Sequence, residues 1–321
     1  MPGPDFTEIP LIDIAALRTG ARDGVDEVAT RIVEACGTAG FFYVIGHGVS
    51  DSTIGGVFDA AHWFFASPQA FRDALDVKTS PNFRGYVPMG IVGPMKPRRM
   101  LEAFQMMLDL PLDDPDVRAG NIMAGPNRWP DEAPAFRAAM DAYFAAMMEL
   151  TRLLLSAFAH GLGLPGDFFS AHFVKPLTQL RLLHYPPQPP DSDAEGVEAH
   201  TDTGAFTILL QDDVGGLEVK TRAGRWIAAR PIPGSFVVNI ADMMQRWTSG
   251  RFVSTPHRVR NRTGRDRISV PFFANPDYGA VITPITGAGP GGDTSYAPLA
   301  CGPYVEAAYR AAWPHAERER R

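Results

Sequence analysis

After Pro176 the chain changes texture, and that change constrains the fold more than any other feature. The residues that follow break into short, β-branched or aromatic segments separated by Gly and Pro turns. These segments are Leu177 to Tyr185, Ala205 to Gln211, Leu217 to Thr221, Arg225 to Ala228, Ser235 to Ile240, His257 to Arg260 and Arg267 to Ala274. Short strands at that spacing fit a small antiparallel double sheet or barrel. Ala241 to Trp247 reads as one helical insertion.

The half before Pro176 has a different period. Ile9 to Ile14 reads as a short strand. Val25, Val28, Ile32, Val33 and Cys36 recur at helical spacing, and Gly40 ends that helix. Phe41 to Ile45 is a buried strand by composition. Ser50 caps a helix whose apolar face carries Ile54, Val57, Phe58, Ala61, Phe64 and Phe65. The longest helix runs between Pro134 and Gly163, with its methionines and aromatics as core packing, and a short helix is expected from Gly166 to Phe173. Residues 78 to 103 are punctuated by Pro81, Gly85, Pro88, Gly90, Gly93, Pro94 and Pro97 and read as a long loop. Arg84, Tyr86 and Met89 would reach a pocket from it. The expected division is 1–176 as an α/β region supporting the core and 177–321 as the β domain with its tail, packed as one unit.

His200-Thr201-Asp202 carries the chemistry. On a strand, His200 and Asp202 would share a face. The pair alone is weak: eight histidines and 36 acidic residues give about one His-x-Asp/Glu by chance, and His315-Ala316-Glu317 is another. His257 strengthens it, because two imidazoles and one carboxylate form the facial set that holds Fe(II) with open positions opposite. Arg267 and Ser269 would share a strand face, and a guanidinium fork with a hydroxyl suits a terminal carboxylate. Tyr185 would add a donor. A buried Arg needs an anion. His47 and His62 read as structural.

A net charge of −6 with no Lys/Arg run argues against nucleic-acid binding. Met1 to Pro10 lack the features of a signal peptide, and no apolar run reaches about 18 residues, so no membrane span is expected. Cys36 and Cys301 stand in unrelated contexts and read as reduced thiols in a cytoplasmic protein. Glu317 to Arg321 reads as a solvated end.

Several segments, in order, resemble the isopenicillin N synthase-like branch of Fe(II)/2-oxoglutarate-dependent oxygenases. They include Gly40-Phe41-Phe42-Tyr43-Val44-Ile45-Gly46-His47-Gly48, Tyr185-Pro186-Pro187, His200-Thr201-Asp202, Phe236-Val237-Val238-Asn239-Ile240, Ser254-Thr255-Pro256-His257-Arg258-Val259 and Arg267-Ile268-Ser269-Val270-Pro271-Phe272-Phe273. The likeness runs from about residue 9 to 282. Two positions depart from it: His184 stands where Asn is usual, and Ala241 where Gly is usual. The resemblance implies a mainly β fold with α, a double-stranded β-helix (jelly-roll) core with N-terminal helices packed against it. It implies iron on His200, Asp202 and His257, and 2-oxoglutarate with its far carboxylate on Arg267 and Ser269, assisted by Tyr185. It implies a dioxygenase that uses O₂ to oxidise a small molecule, by hydroxylation or desaturation, with release of succinate and CO₂, as in secondary metabolism. Arg84, Phe104, Arg181, His184, Phe206 and Phe273 are the candidate substrate residues. The competing readings are a relative that oxidises without 2-oxoglutarate or splits it to ethylene, a non-catalytic ligand-binding barrel, and a zinc hydrolase. The last lacks a second carboxylate placed as a general base.

Overall fold

The computed structural model describes residues 6–20, 22–90, 100–189, 195–285 and 296–312. The expected loop residues 91–99, the pair His315-Ala316-Glu317 and the expected solvated tail lie outside them.

In the first half, β1 (Leu11–Asp13), α1 (Ala15–Thr19), α2 (Arg22–Thr38), β2 (Phe41–Ile45), α3 (Asp51–Ala66), α4 (Gln69–Asp73), β3 (Gly85–Val87), β4 (Glu102–Met107), α5 (Pro115–Arg118) and α6 (Pro134–Gly161) follow one another. Next come β5 (Gln179–Tyr185), β6 (Val197–His200), β7 (Phe206–Gln211), β8 (Leu217–Lys220), β9 (Trp226–Ala228) and β10 (Phe236–Ile240). The last described elements are α7 (Asp242–Trp247), β11 (His257–Val259), β12 (Arg267–Ala274), β13 (Val281–Ile282), β14 (Leu299–Ala300) and α8 (Cys301–Ala312).

Local signals set several boundaries. Ser50 Oγ accepts from the Thr53 amide at 3.1 Å and caps α3. Gly40, at φ 66°, closes α2 by donating to Ala35 O at 2.9 Å. A Cβ on Gly40 would lie 2.1 Å from Val253 O, so only glycine lets the two segments meet.

The strands form two main sheets. One has eight strands in the order β1-β2-β10-β7-β12-β5-β4-β3, and the other has four in the order β6-β11-β8-β9. Among the described strands, every strand pair is antiparallel except that of β1 with β2. The larger sheet takes strands from both sides of residue 176. One of its faces looks toward the smaller sheet across a jelly-roll interior, and helices cover the other. Phe144 and Phe158 of α6 pack edge-on against Phe272 and Phe206, at 5.2 and 5.3 Å between ring centroids. Burying an apolar side chain of that size stabilises by about 1.5–3 kcal/mol. Helix α6 is long and apolar enough to cross a membrane by length and composition, yet most of its apolar stretch is buried against protein. This helix packs on α2 and α3.

Two expectations are corrected. The stretch 78–103 is not all loop: Gly85–Val87 is a strand paired with β4, and β4 itself begins at Glu102. No α-helix forms over Gly166 to Phe173, which holds one 3₁₀ turn at Ser170–His172. Phe168 and Phe169, adjacent in sequence, both pack on Trp247, at 6.3 and 4.9 Å. Adjacent residues on an α-helix do not share a face in that way.

Candidate active site

Strand alternation decides which side chains meet between the sheets. On β5, Gln179, Arg181, Leu183 and Tyr185 face inward; on β12, Arg267, Ser269, Pro271 and Phe273 do; on β7, Thr207 and Leu209. With Val197, His200, Leu217, His257 and Val259 of the smaller sheet they enclose a cavity of about 340 Å³. Helix α8 contributes Val305, Ala308, Tyr309 and Ala312 to its wall.

His200 closes β6, and His257 opens β11 directly opposite it in the antiparallel pair. Asp202 is not on the strand, as the two-residue spacing had suggested, but in the loop beyond it. That loop is pinned: the amides of Asp242 and Met243, at the start of α7, donate to Asp202 O and Gly204 O at 2.8 and 3.0 Å. Thr201 Oγ1 donates to Asp242 Oδ2 at 3.1 Å.

The ring nitrogens are assigned by what they meet. His200 Nδ1 lies 2.8 Å from Glu198 O, and His257 Nδ1 lies 3.2 Å from Thr255 O. A carbonyl only accepts, so both Nδ1 atoms carry the proton. The Nε2 atoms then turn toward Asp202 Oδ1, at 3.5 and 3.7 Å, long for hydrogen bonds. Asp202 Oδ2 accepts from Thr207 Oγ1 at 2.6 Å and from Asn239 Nδ2 at 2.8 Å, which leaves Oδ1 free to face the imidazoles. Burial pushes the Asp202 carboxyl up, but the neighbouring His257 and His200, with the Thr207 bond, hold it well below the usual carboxylate range. Burial pulls His257 down, against the opposing charge of Asp202, so its ring favours the neutral form. Three ligand atoms thus lie within 4.8 Å of one another. A divalent cation is the group that resolves this convergence of lone pairs, and a nitrogen–nitrogen–oxygen set suits Fe(II).

Farther along the cavity, Arg267 is fully buried and sits opposite Tyr185 in the sheet, its Cζ 4.7 Å from the Tyr185 ring centroid. Nε donates to Gly215 O, and Nη1 donates to Ser269 Oγ at 3.1 Å. Nη2 is buried and meets no acceptor among the described residues. An orphaned guanidinium donor beside a hydroxyl fits a carboxylate. Gly196 lets Tyr185 into place: a Cβ there would lie 2.6 and 2.9 Å from two Tyr185 ring carbons.

Arg181 and Phe273 line the cavity; the other four substrate candidates do not. Arg84 is buried elsewhere, donating to Asn127 Oδ1, Asn82 O and Met123 O at 3.1, 2.7 and 3.1 Å. It braces the loops around it. Phe104 points to the helix side of the sheet, packed on Phe64 and Phe136. Phe206 also faces outward, against Phe158. His184 takes the face opposite Tyr185 and bridges Glu102 Oε1 and Asp266 Oδ1 at 2.8 and 2.9 Å. The sequence reading passed over Gln105, Gln179, Thr207 and Asn239. Alternation flags two of them: Gln179 shares parity with Arg181 and Tyr185, and Thr207 is the polar residue of an apolar strand.

The comparisons with known proteins agree with this geometry. Residues 176–276 match the model of the 2OG-Fe(II) oxygenase superfamily, and residues 9–132 match that of the non-haem dioxygenase in morphine synthesis N-terminal region. The chain is 35% identical over 300 residues to Homoarginine-6-hydroxylase 2-ODD-C23.1 of Arabidopsis thaliana, spanning 88% of each. It is 39% identical over 293 residues to the 2-oxoglutarate-dependent dioxygenase citB of Monascus ruber, spanning 84% of this chain and 86% of that one. Among solved structures, full-length Neurospora crassa T7H in complex with alpha-KG and thymine superposes with a TM-score of 0.84 at 27% identity, over 95% of this chain and 97% of that one.

Proposed function

The chain belongs to the 2OG-Fe(II) oxygenase superfamily and is a 2-oxoglutarate- and Fe(II)-dependent dioxygenase, and from that premise we propose that it hydroxylates a small molecule held between His200, Asp202, His257 and the substrate-side wall. In this reading His200 Nε2, Asp202 Oδ1 and His257 Nε2 hold the iron. Arg267 and Ser269 take the far carboxylate of 2-oxoglutarate, and the Tyr185 ring keeps the guanidinium flat and aimed. With Fe(II) and 2-oxoglutarate bound, O₂ would supply four oxidising equivalents, two used in converting 2-oxoglutarate to succinate and CO₂ and two in oxidising the substrate.

The chain's own part is positioning. Glu198 O and Thr255 O fix the two imidazoles through their Nδ1 protons. Thr207 and Asn239 turn one carboxylate oxygen of Asp202 toward them. Leu209, Leu217 and Val259 give the cavity apolar walls that exclude water between the two polar ends. The observation that carries the reading is the joint presence, in one cavity, of three converging ligand atoms and a buried Arg267 with a free donor.

A cavity of about 340 Å³ is sized for a small molecule. Relatives point the same way: one is named for hydroxylating homoarginine, and a structural neighbour was solved with thymine. Arg181 and Phe273 would face the substrate. Cys36 and Cys301 are both free and buried, which fits a reducing, cytoplasmic setting.

The test is succinate and CO₂ formation from 2-oxoglutarate with anaerobically added Fe(II), over a metabolite panel, with His257→Ala and Arg267→Ala alongside. Succinate in the wild type that disappears in His257→Ala and needs far more 2-oxoglutarate in Arg267→Ala supports the reading. Succinate that persists in Arg267→Ala at an unchanged 2-oxoglutarate KM sinks the carboxylate assignment.

A further inference from the structure

The strand register divides the cavity into two ends. Arg267 lies opposite Tyr185, while Thr207, Phe273 and Gln179 form one row across β7, β12 and β5. Along β5 the two rows are six residues apart, about 20 Å. Thr207 is the residue that holds Asp202. Gln179 lies two strands from it, about 10 Å away. The row of Gln179 is therefore the substrate side of the metal ligands, away from the carboxylate site.

Three polar side chains cluster there. Gln105 of β4 is the cross-strand partner of Arg181, and Gln179 is diagonal to Gln105 on the same face. Gln179 is 6% exposed, and its carboxamide makes no hydrogen bond among the described residues. Gln105 is 2% exposed, and its amide nitrogen donates to Phe83 O at 2.6 Å. Because that partner is a carbonyl, the Gln105 nitrogen must face it, and its carbonyl oxygen is left for the cavity. Both groups face the cavity, so a ligand that matches their hydrogen bonds takes the place of the water they would otherwise meet.

We propose that Gln179 and Gln105, beside Arg181, recognise a substrate that presents an N–H next to a carbonyl: a cyclic amide or imide. A carboxylate would serve the Gln179 amide but offer nothing to the two glutamine oxygens. A hydrocarbon would serve neither. An amide edge serves both, with its carbonyl on the Gln179 amide and its N–H on a glutamine oxygen, and Phe273 packs against the flat face. This rests on the functional reading above and names the substrate class for it.

Calorimetry on the Mn(II)- and 2-oxoglutarate-loaded protein tests it without turnover. The probes are 3-methylglutarimide, its N-methyl derivative and 3-methylcyclohexanecarboxylate. The imide is expected to bind about 10-fold more tightly than either of the others, the discrimination one buried hydrogen bond provides. Gln179→Met, close in shape but without the amide, should weaken the imide about 10-fold and the N-methyl compound, which has only a carbonyl bond to lose, by less. A melting curve checks that the variant folds, and Gln179→Leu provides a second variant. Equal or tighter binding of the carboxylate or the N-methyl compound overturns the proposal, as does unchanged imide affinity in a folded variant. Failure of the wild type to bind 2-oxoglutarate, seen before any probe is added, would instead fault the cofactor reading.

Discussion

His200 and His257 face each other across one antiparallel strand pair, their ring centroids 4.3 Å apart, and each ring is fixed by the carbonyl two residues before it. The candidate metal set is thus the same local device used twice, closed by a carboxylate from a loop. The loop member depends most on its neighbours.

Thr207→Val and Asn239→Ala each remove one bond to Asp202 Oδ2. Each should weaken Fe(II) binding by about 10–100-fold, the usual cost of losing a residue that orients a ligand. Metal titration followed by succinate assays reads this. Unchanged affinity in both would mean that Asp202 holds its orientation without them.

Arg267→Lys keeps the charge but loses the fork. The 2-oxoglutarate KM should rise about 10-fold in Arg267→Lys and about 100-fold in Arg267→Ala, as expected when charge-assisted bonds of about 1.5–3 kcal/mol are removed. A lysine variant equal to the wild type would show that charge alone suffices.

Gly196→Ala places a methyl against the Tyr185 ring, which is buried and has little room to yield. Displacing that ring disturbs the Arg267 guanidinium it covers. The expected result is a 2-oxoglutarate KM raised about 10-fold, on the scale of overpacking costs of about 1–3 kcal/mol, with Fe(II) affinity unchanged. A fall in iron affinity of the same size would place the damage elsewhere.

Glu102, His184 and Asp266 predict a pH dependence of stability. Burial lowers His184, but its bonds to Glu102 and Asp266 outweigh that, and the net shift is upward. Its contribution is therefore full below about pH 6.5, the unfolded value, and is lost as pH rises through the folded one. For Glu102, burial raises the carboxyl, and His184, Tyr86 and Arg72 more than reverse it. Its contribution is present above about pH 4.3 and is lost as pH falls through the depressed value. Melting temperature should decline on both flanks, and His184→Asn should flatten the alkaline one. An alkaline flank unchanged in His184→Asn would remove His184 as its source.

The strands after Pro176 and the long helix were legible because both rest on periodicity, which packing does not rewrite. The candidate metal residues were legible as a set, and alternation puts Arg181 and Tyr185 on one face of β5 with His184 on the other. Arg84 was misread because nothing local reveals the Asn127 side chain and the Asn82 and Met123 carbonyls that converge on it from separate loops. Phe206 was misread by one position, since Thr207 sets the inward parity of β7. Helix α8 went unseen because Cys301-Gly302-Pro303 reads as a turn, although Pro suits the first turn of a helix.

Strands β2 and β4, both from the first half of the chain, flank the run β10-β7-β12-β5. A fragment beginning at residue 176 would retain all three candidate metal ligands and Arg267, yet it would bare two long hydrogen-bonding edges at once. Such edges template pairing between molecules. Expressed alone, the half that holds the chemistry should be recovered as aggregate, and adding the first half in trans should restore solubility before it restores turnover.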